Sequence, residues 1–207
     1  MHMPAFSARG LYAVTDGPRS DLLEVCAAAL AGGAAIIQYR DKTADRVRHR
    51  DEAAQLAALC VRHGVPLIIN DDVELAAQVG ATGVHLGEDD ADIATARMRL
   101  GNGAIIGVSC YDSLDRARRA AAGGADYLAF GAFFASPTKP NARRATPDLL
   151  RAARTFGRPL VAIGGITPDN AQLLIEAGAD FIAAISGVFA AADVESAARR
   201  YADLFHK

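Results

Sequence analysis

The chain has 207 residues, 51% of them apolar, with 22 basic against 24 acidic side chains and a formal net charge of −2. That length suits one domain with a real core, because single cores grow to roughly 250–300 residues before they split. The near-neutral balance excludes a strongly basic nucleic-acid binder and an acidic disordered tail, and the longest apolar run, 179–192, is too short for a bilayer and is broken by Ser186 and Gly187.

From the N-terminus, a strand is expected over 11–14 and a helix over 21–30, where Leu22, Leu23, Cys26 and Leu30 fall near one stripe. The alternation then continues without interruption. Strand 35–39 precedes helix 44–61, strand 66–69 helix 74–79, and strand 83–86 helix 93–100. Strand 104–108 precedes helix 114–122, strand 127–130 helix 147–156, strand 159–163 helix 168–177, and strand 181–185 helix 194–205. The apolar runs are continuous rather than alternating, as parallel strands covered on both faces require. Thr146-Pro147 and Thr167-Pro168 read as N-cap followed by first helical residue.

A weak rhythm runs beneath this pattern. Gly33-Ala34, Gly80-Ala81, Gly124-Ala125 and Gly178-Ala179 precede the even-numbered strands, and Gly-x-Pro precedes the third and seventh. Glycine suits the residue after a helix end, so each marks a helix-to-strand turn. Eight βα units of about 26 residues predict an α/β fold, a single-domain (β/α)8 TIM barrel over 1–207 with no added domain. A doubly wound sheet is the alternative; the steady count and the lack of an early Gly-x-Gly-x-x-Gly turn argue against it. Residues 1–10 lack the apolar stretch of a signal peptide. Cys26, Cys60 and Cys110 cannot all pair and do not cluster like zinc ligands, so reduced thiols in a cytoplasmic protein are expected.

Barrel chemistry gathers where strands end and βα loops begin. Those positions hold Thr15-Asp16, Gln38-Tyr39-Arg40-Asp41-Lys42, Asn70-Asp71-Asp72, Gly87-Glu88-Asp89-Asp90, Ser109, Ser136-Pro137-Thr138-Lys139, Gly164-Gly165 and Ser186-Gly187. Arg40 and Lys42, two apart on an extended segment, can hold a polyanion together with Lys139. Only three of the basic residues are lysines, and the two internal ones, Lys42 and Lys139, both fall here. Asp71 and Asp90 could share one Mg²⁺, an oxygen-seeking ion that binds substrate phosphates. Gly164-Gly165 and Ile185-Ser186-Gly187 end the last two strands, the usual phosphate position of such barrels.

Structural roles compete for several of these residues. Asp72 is assigned to helix capping and Asp71 to function. The acids 88–90 also suit a helix start, and Arg143-Arg144 suit either surface charge or phosphate contact. His85, inside a strand, reads as a core histidine, and Cys110 as a buried thiol. No Ser/His/Asp or Cys/His constellation is visible.

Seven motifs in order, Gln38-x-Arg40-x-Lys42, Ile69-Asn70-Asp71, Val84-His85-Leu86-Gly87-x-x-Asp90, Gly107-Val108-Ser109, Ser136-Pro137-Thr138-Lys139, Ile163-Gly164-Gly165-Ile166 and Ile185-Ser186, resemble the thiamine-phosphate synthase family along nearly the whole chain. The resemblance implies a barrel that joins hydroxymethylpyrimidine pyrophosphate to a thiazole phosphate by a dissociative route, releasing thiamine phosphate and pyrophosphate. It implies that Gln38, Tyr39, Arg40, Asp41, Lys42, Asn70, Ser109 and Lys139 hold the pyrimidine pyrophosphate, with Arg40, Lys42, Ser109 and Lys139 catalytic. Asp71 and Asp90 would bind one Mg²⁺ per active site. Ser136, Pro137, Thr138, Gly165, Ile185 and Ser186 would meet the thiazole phosphate, and loop 135–145 would close over the reacting cation. Many family members have Gln where Glu88 stands and Pro-Thr where Ala135-Ser136 stands. The expected partners are the two small-molecule substrates, with a homodimer left open and neither nucleic acid nor membrane expected. A thiazole tautomerase would place a histidine after the Ser109 region, where this chain has Cys110-Tyr111. A non-catalytic phosphate-binding barrel would need neither both acids nor the cation cluster.

Overall fold

The structure is a computed structural model that describes residues 9–88, 92–135 and 144–206. The described residues form eight strands, β1 (Gly10–Val14), β2 (Ala34–Tyr39), β3 (Leu67–Asn70), β4 (Gly83–Leu86), β5 (Ile105–Tyr111), β6 (Tyr127–Phe130), β7 (Leu160–Ile163) and β8 (Phe181–Ala184). All neighbours pair in parallel, and β8 returns to β1, so the sheet closes into a barrel. Helices α1 (Leu22–Ala31), α2 (Arg46–His63), α3 (Val73–Val79), α4 (Ile93–Leu100), α5 (Leu114–Ala122), α6 (Pro147–Ala153), α7 (Gln172–Glu176), α8 (Ser186–Phe189) and α9 (Val194–Ala202) follow the strands, two of them after β8. The expected (β/α)8 architecture is what the chain adopts. No helix among the described residues is long and apolar enough to cross a membrane.

Two apolar layers follow from strand alternation. Leu11, Ala13, Ile37, Tyr39, Leu67 and Ile69 face the helices and pack on Cys26, Leu56 and Cys60. Their neighbours Tyr12, Val14, Ile36 and Ile68 face inward and fill the barrel with Tyr127, Val161 and Phe181. Gly107 makes this filling feasible, because a Cβ there would lie 1.8 Å from the Tyr127 ring.

Helix starts follow local chemistry. The side chains of Asp45, Asp72, Asp92, Ser113 and Asp193 each accept a backbone N–H in the first turn of the next helix. Four expectations are corrected. The second helix starts at Arg46 rather than at 44, because Asp45 caps it. β5 runs on through Ser109 to Tyr111, with a register shift between those two residues. Residues 168–170 form a turn and α7 begins only at Gln172, since the Thr167 N–H donates to the Asn170 side chain instead of Thr167 capping a helix. Thr146 does sit before Pro147, but its side chain makes no capping bond. The short α8, buried through Val188 and Phe189, has no counterpart in the sequence reading.

Candidate active site

The C-terminal end of β2 carries the densest cluster. Gln38 points inward and is buried, its Nε2 donating to Tyr12 Oη at 2.7 Å. Thr15, fully buried at the end of β1, clasps the next residue: its Oγ1 accepts the Arg40 N–H at 2.8 Å and donates to the Arg40 carbonyl at 3.0 Å. The Arg40 backbone is thereby fixed at the barrel mouth while its side chain stays partly exposed.

Tyr39 and Asp41, both expected at the pyrimidine pyrophosphate, hold side-chain contacts with α2 and the loop before it. Tyr39 faces outward, and its hydroxyl donates to Glu52 on α2 at 2.7 Å. The Asp41 side chain has 0% exposure and accepts from the Thr43 N–H at 2.8 Å and from Arg48 at 2.7 Å. Burial alone would raise the Asp41 carboxyl, but the Thr43 bonds and the Arg48 guanidinium outweigh it and hold it below the usual carboxylate range. Strand alternation and the turn after β2 direct these two side chains away from the mouth, so they shape the loop that presents Arg40 and Lys42.

Lys42 Nζ donates to Asp71 Oδ2, joining the ends of β2 and β3. Asn70 Nδ2 donates to the same oxygen at 2.6 Å. Asp71 has φ 65°, unusual for a non-glycine residue, and its N–H donates to the His85 carbonyl at 2.8 Å. The left-handed turn lifts the carboxylate to the rim while its neighbour Asp72 caps α3. Capping and rim roles thus separate between the two acids as expected.

His85 on β4 is buried and stacks on Tyr127, with ring centroids 5.6 Å apart. Its Nε2 lies 2.8 Å from Ser109 Oγ. Burial, countered only in part by Asp71, pushes the imidazole down to about 4, so it is neutral at physiological pH. Arg116 on α5 secures the same region: its Nε donates to the Ser109 carbonyl at 2.6 Å and its NH2 to the Gly87 carbonyl at 2.8 Å.

Across the mouth, Gly165 has φ 62°, and a Cβ there would lie 2.7 Å from the Ala135 carbonyl oxygen. Only glycine permits that approach between the β7 and β6 loops. Asn170 holds the same turn, donating to the Gly165 carbonyl at 3.2 Å. Ile185 is partly buried and leads into α8, whose first residue, Ser186, is exposed at the rim. Asp90, Ser136, Pro137, Thr138 and Lys139 lie outside the described residues, as does Arg143.

The described residues therefore bring Gln38, Arg40, Lys42, Asn70, Asp71 and Ser109 to one end of β2, β3 and β5, with Gly165 and Ser186 on the same rim. Asp71 places at the rim a carboxylate, the kind of oxygen donor a hard cation takes, while Asp90, the other acid expected to bind one, lies outside the described residues. Among the described residues no three His, Cys, Asp or Glu cluster as a metal site. Cys110 is buried and its thiol is pushed up to about 12 by burial, as a core thiol should be. Sequence reasoning missed Thr15 as a clasp, Tyr12 and Tyr127 as polar groups inside the barrel, Arg116 and Asn170. Tyr12 and Tyr127 were hidden in runs that read as apolar; Arg116 sits among other arginines with nothing local to single it out.

Fold and rim together define the class: a lean (β/α)8 barrel whose strand ends carry cations, carboxylates and glycine turns in separate sectors. The family model for thiamine monophosphate synthase matches residues 11–188, and the chain belongs to that family. It is 55% identical over 196 residues to a thiamine-phosphate synthase of Xanthomonas campestris pv. campestris strain 8004, covering 94% of this chain and 95% of the relative. A thiamine-phosphate synthase of Halorhodospira halophila is 55% identical, covering 92% and 91%. The solved thiamine phosphate pyrophosphorylase from Pyrococcus furiosus superposes with a TM-score of 0.86 at 35% identity, covering 95% of each chain.

Proposed function

We propose that this chain is a thiamine-phosphate synthase. It joins 4-amino-2-methyl-5-hydroxymethylpyrimidine pyrophosphate to 4-methyl-5-(2-phosphooxyethyl)thiazole and releases thiamine phosphate and pyrophosphate. The observation that carries this reading is the convergence of Lys42 and Asn70 on Asp71, beside Arg40 and Ser109. Such a cluster suits a magnesium pyrophosphate, and the relatives named thiamine-phosphate synthase support thiamine phosphate as the product.

In the proposed chemistry the bond from the pyrimidine methylene carbon to the pyrophosphate oxygen breaks, and its electron pair leaves with pyrophosphate. The aminopyrimidine delocalises the resulting cation. The thiazole nitrogen lone pair then forms the new carbon–nitrogen bond. No protein nucleophile is required. Arg40 and Lys42, with Lys139, stabilise the charge that grows on the leaving group, a contribution that operates chiefly in the transition state. To do so Lys42 turns from Asp71 toward pyrophosphate. A magnesium ion held by Asp71 and Asp90 would supply further positive charge to the leaving group. Gln38, Asn70 and Ser109 orient the pyrimidine end. Ser136, Pro137, Thr138, Gly165, Ile185 and Ser186 hold the thiazole phosphate.

The test is incubation of the full chain with both substrates and Mg²⁺, following thiamine phosphate by chromatography and pyrophosphate by ³¹P resonance. Equal amounts of both products are expected. Pyrophosphate without thiamine phosphate would mean hydrolysis, and neither product would overturn the reading.

A further inference from the structure

β1 sits between β2, which leads to Arg40, and β8, which leads to Ser186. None of the residues proposed to touch substrate lies on β1 or in the loop after it. The side chains of that loop, residues 15–19, turn sideways onto both neighbours instead. Toward β2, the Thr15 N–H donates to the Gln38 carbonyl at 2.9 Å. A side chain makes the next contact: Thr15 Oγ1 accepts the Arg40 N–H at 2.8 Å and donates to the Arg40 carbonyl at 3.0 Å. One hydroxyl thereby matches both backbone groups of Arg40, and with Thr15 at 0% exposure solvent cannot take its place. Gly17 rests on the same turn, where a Cβ would come 3.5 Å from Asp41 Oδ2 and 3.6 Å from the Arg40 carbonyl oxygen.

Toward β8 the contact is Arg19. Its NH1 donates to the carbonyl of Phe189 at 2.9 Å. Phe189 ends α8, the short helix that begins at Ser186. A helix of one turn has no stability of its own, and its closing carbonyls lack partners within it. Its place depends on what holds it, namely the buried side chains of Val188 and Phe189 and the Arg19 bond to its last carbonyl. Two carboxylates aim the guanidinium. Asp21 accepts from Nε at 2.6 Å and from NH2 at 3.1 Å, a two-pronged grip, and Asp16 accepts from NH1 at 3.0 Å. Asp16 directly follows Thr15, so a single peptide joins the two clasps.

We propose that Thr15 and Arg19 are positioning residues and that the loop they bracket is a strut serving both ends of the site. Thr15 places Arg40 for the pyrophosphate, and Arg19 places Ser186 for the thiazole phosphate. The assignment to these two ligands rests on the proposed function.

The test is calorimetric titration of the full chain with two probes, pyrophosphate in the presence of Mg²⁺ and 4-methyl-5-(2-phosphooxyethyl)thiazole, beside an assay of thiamine phosphate formation. Thr15→Val keeps the side-chain shape and removes the hydroxyl. It should weaken pyrophosphate about tenfold, the weight of roughly one hydrogen bond, and leave the thiazole phosphate within about twofold. Thr15→Ser, which keeps the hydroxyl, should restore pyrophosphate binding. Arg19→Gln should show the opposite split, with thiazole phosphate about tenfold weaker and pyrophosphate within about twofold. Arg19→Lys should not rescue it, because one ammonium cannot grip Asp21 on two prongs and also reach the Phe189 carbonyl. A merely structural role would weaken both probes alike or neither. The Arg19 side chain is partly exposed, so Arg19→Gln carries the test should Thr15→Val fail to fold. Unchanged affinities in folded variants of an active chain, or equal losses of both probes, would overturn the proposal. The predicted split in a chain that forms no thiamine phosphate would support the positioning and count against the assigned activity alone. A wild type that binds neither probe would overturn both.

Discussion

Asp71 combines the functional and structural demands of the rim in one residue. Its φ of 65° is left-handed, a conformation that costs most side chains about 1–2 kcal/mol and that Asp tolerates better than Ala. Asp71→Gly should therefore be more stable than Asp71→Ala by about 1 kcal/mol in urea denaturation. Both should lose magnesium-dependent turnover by about 100-fold or more, the range found when charge-stabilising groups are deleted. The three cysteines give a second prediction. Burial pushes the thiols of Cys26, Cys60 and Cys110 up to about 12, so the folded chain keeps them protonated well above pH 8. A thiol reagent at pH 8 should leave the native chain unmodified and label all three in denaturant; rapid labelling of the native chain would show that the thiols are not core groups. At this scale the sequence revealed residue types but not their facing. Arg40 and Lys42 were separable from their neighbours by spacing, whereas Tyr39 and Asp41 lie between them and turn outward because α2 supplies Glu52 and Arg48.

The secondary-structure elements are held in place by a repeated device at the N-terminal end of the barrel. After each of three Gly-Ala pairs comes a polar residue, Thr82, Asp126 or Asp180, whose side chain accepts an N–H from the first or second residue of a neighbouring strand. The same residues donate their own N–H to Leu67, Ile106 and Leu160 on those strands. The rhythm visible in the sequence is thus a register lock. At the opposite end Arg116 joins the Gly87 carbonyl just after β4 to the Ser109 carbonyl of β5. Arg116→Ala should cost about 1.5–3 kcal/mol, as hydrogen bonds to a charged donor do. It should also raise the KM for the pyrimidine substrate, because Ser109 loses its backbone anchor. Lysine should not rescue it, since one ammonium cannot reproduce the two-pronged geometry. An unchanged KM in the folded Arg116→Ala variant would separate this anchor from the site. Inside β5, Gly107→Ala should destabilise by about 3 kcal/mol or prevent folding, as its Cβ would meet the Tyr127 ring at 1.8 Å. Long, regular elements were legible from periodicity; α7, α8 and the irregular end of β5 were not, because side-chain bonds from Asn170 and packing of Phe189 decide them.

The whole molecule divides its labour along the barrel axis. Register locks and helix ends occupy one end, and the strands deliver Gln38, Arg40, Asn70, Asp71 and Ser109 to the other. The eight-unit count, the rim and the family were all legible in 207 residues, because each strand-end position carries a distinct residue type. The polar contacts inside the barrel were not, because Tyr12, His85 and Tyr127 are far apart in sequence and meet only when the sheet closes. In the proposed reading this rim converts the two thiamine precursors through a metal-assisted pyrophosphate departure. The most direct measurement is thiamine phosphate formation by the full chain and by Asp71→Ala as Mg²⁺ is titrated from a chelated start. On this reading no product forms without magnesium, product saturates with it in the wild type, and folded Asp71→Ala loses at least about 100-fold. Equal turnover of the two proteins, or magnesium-independent turnover, would contradict it.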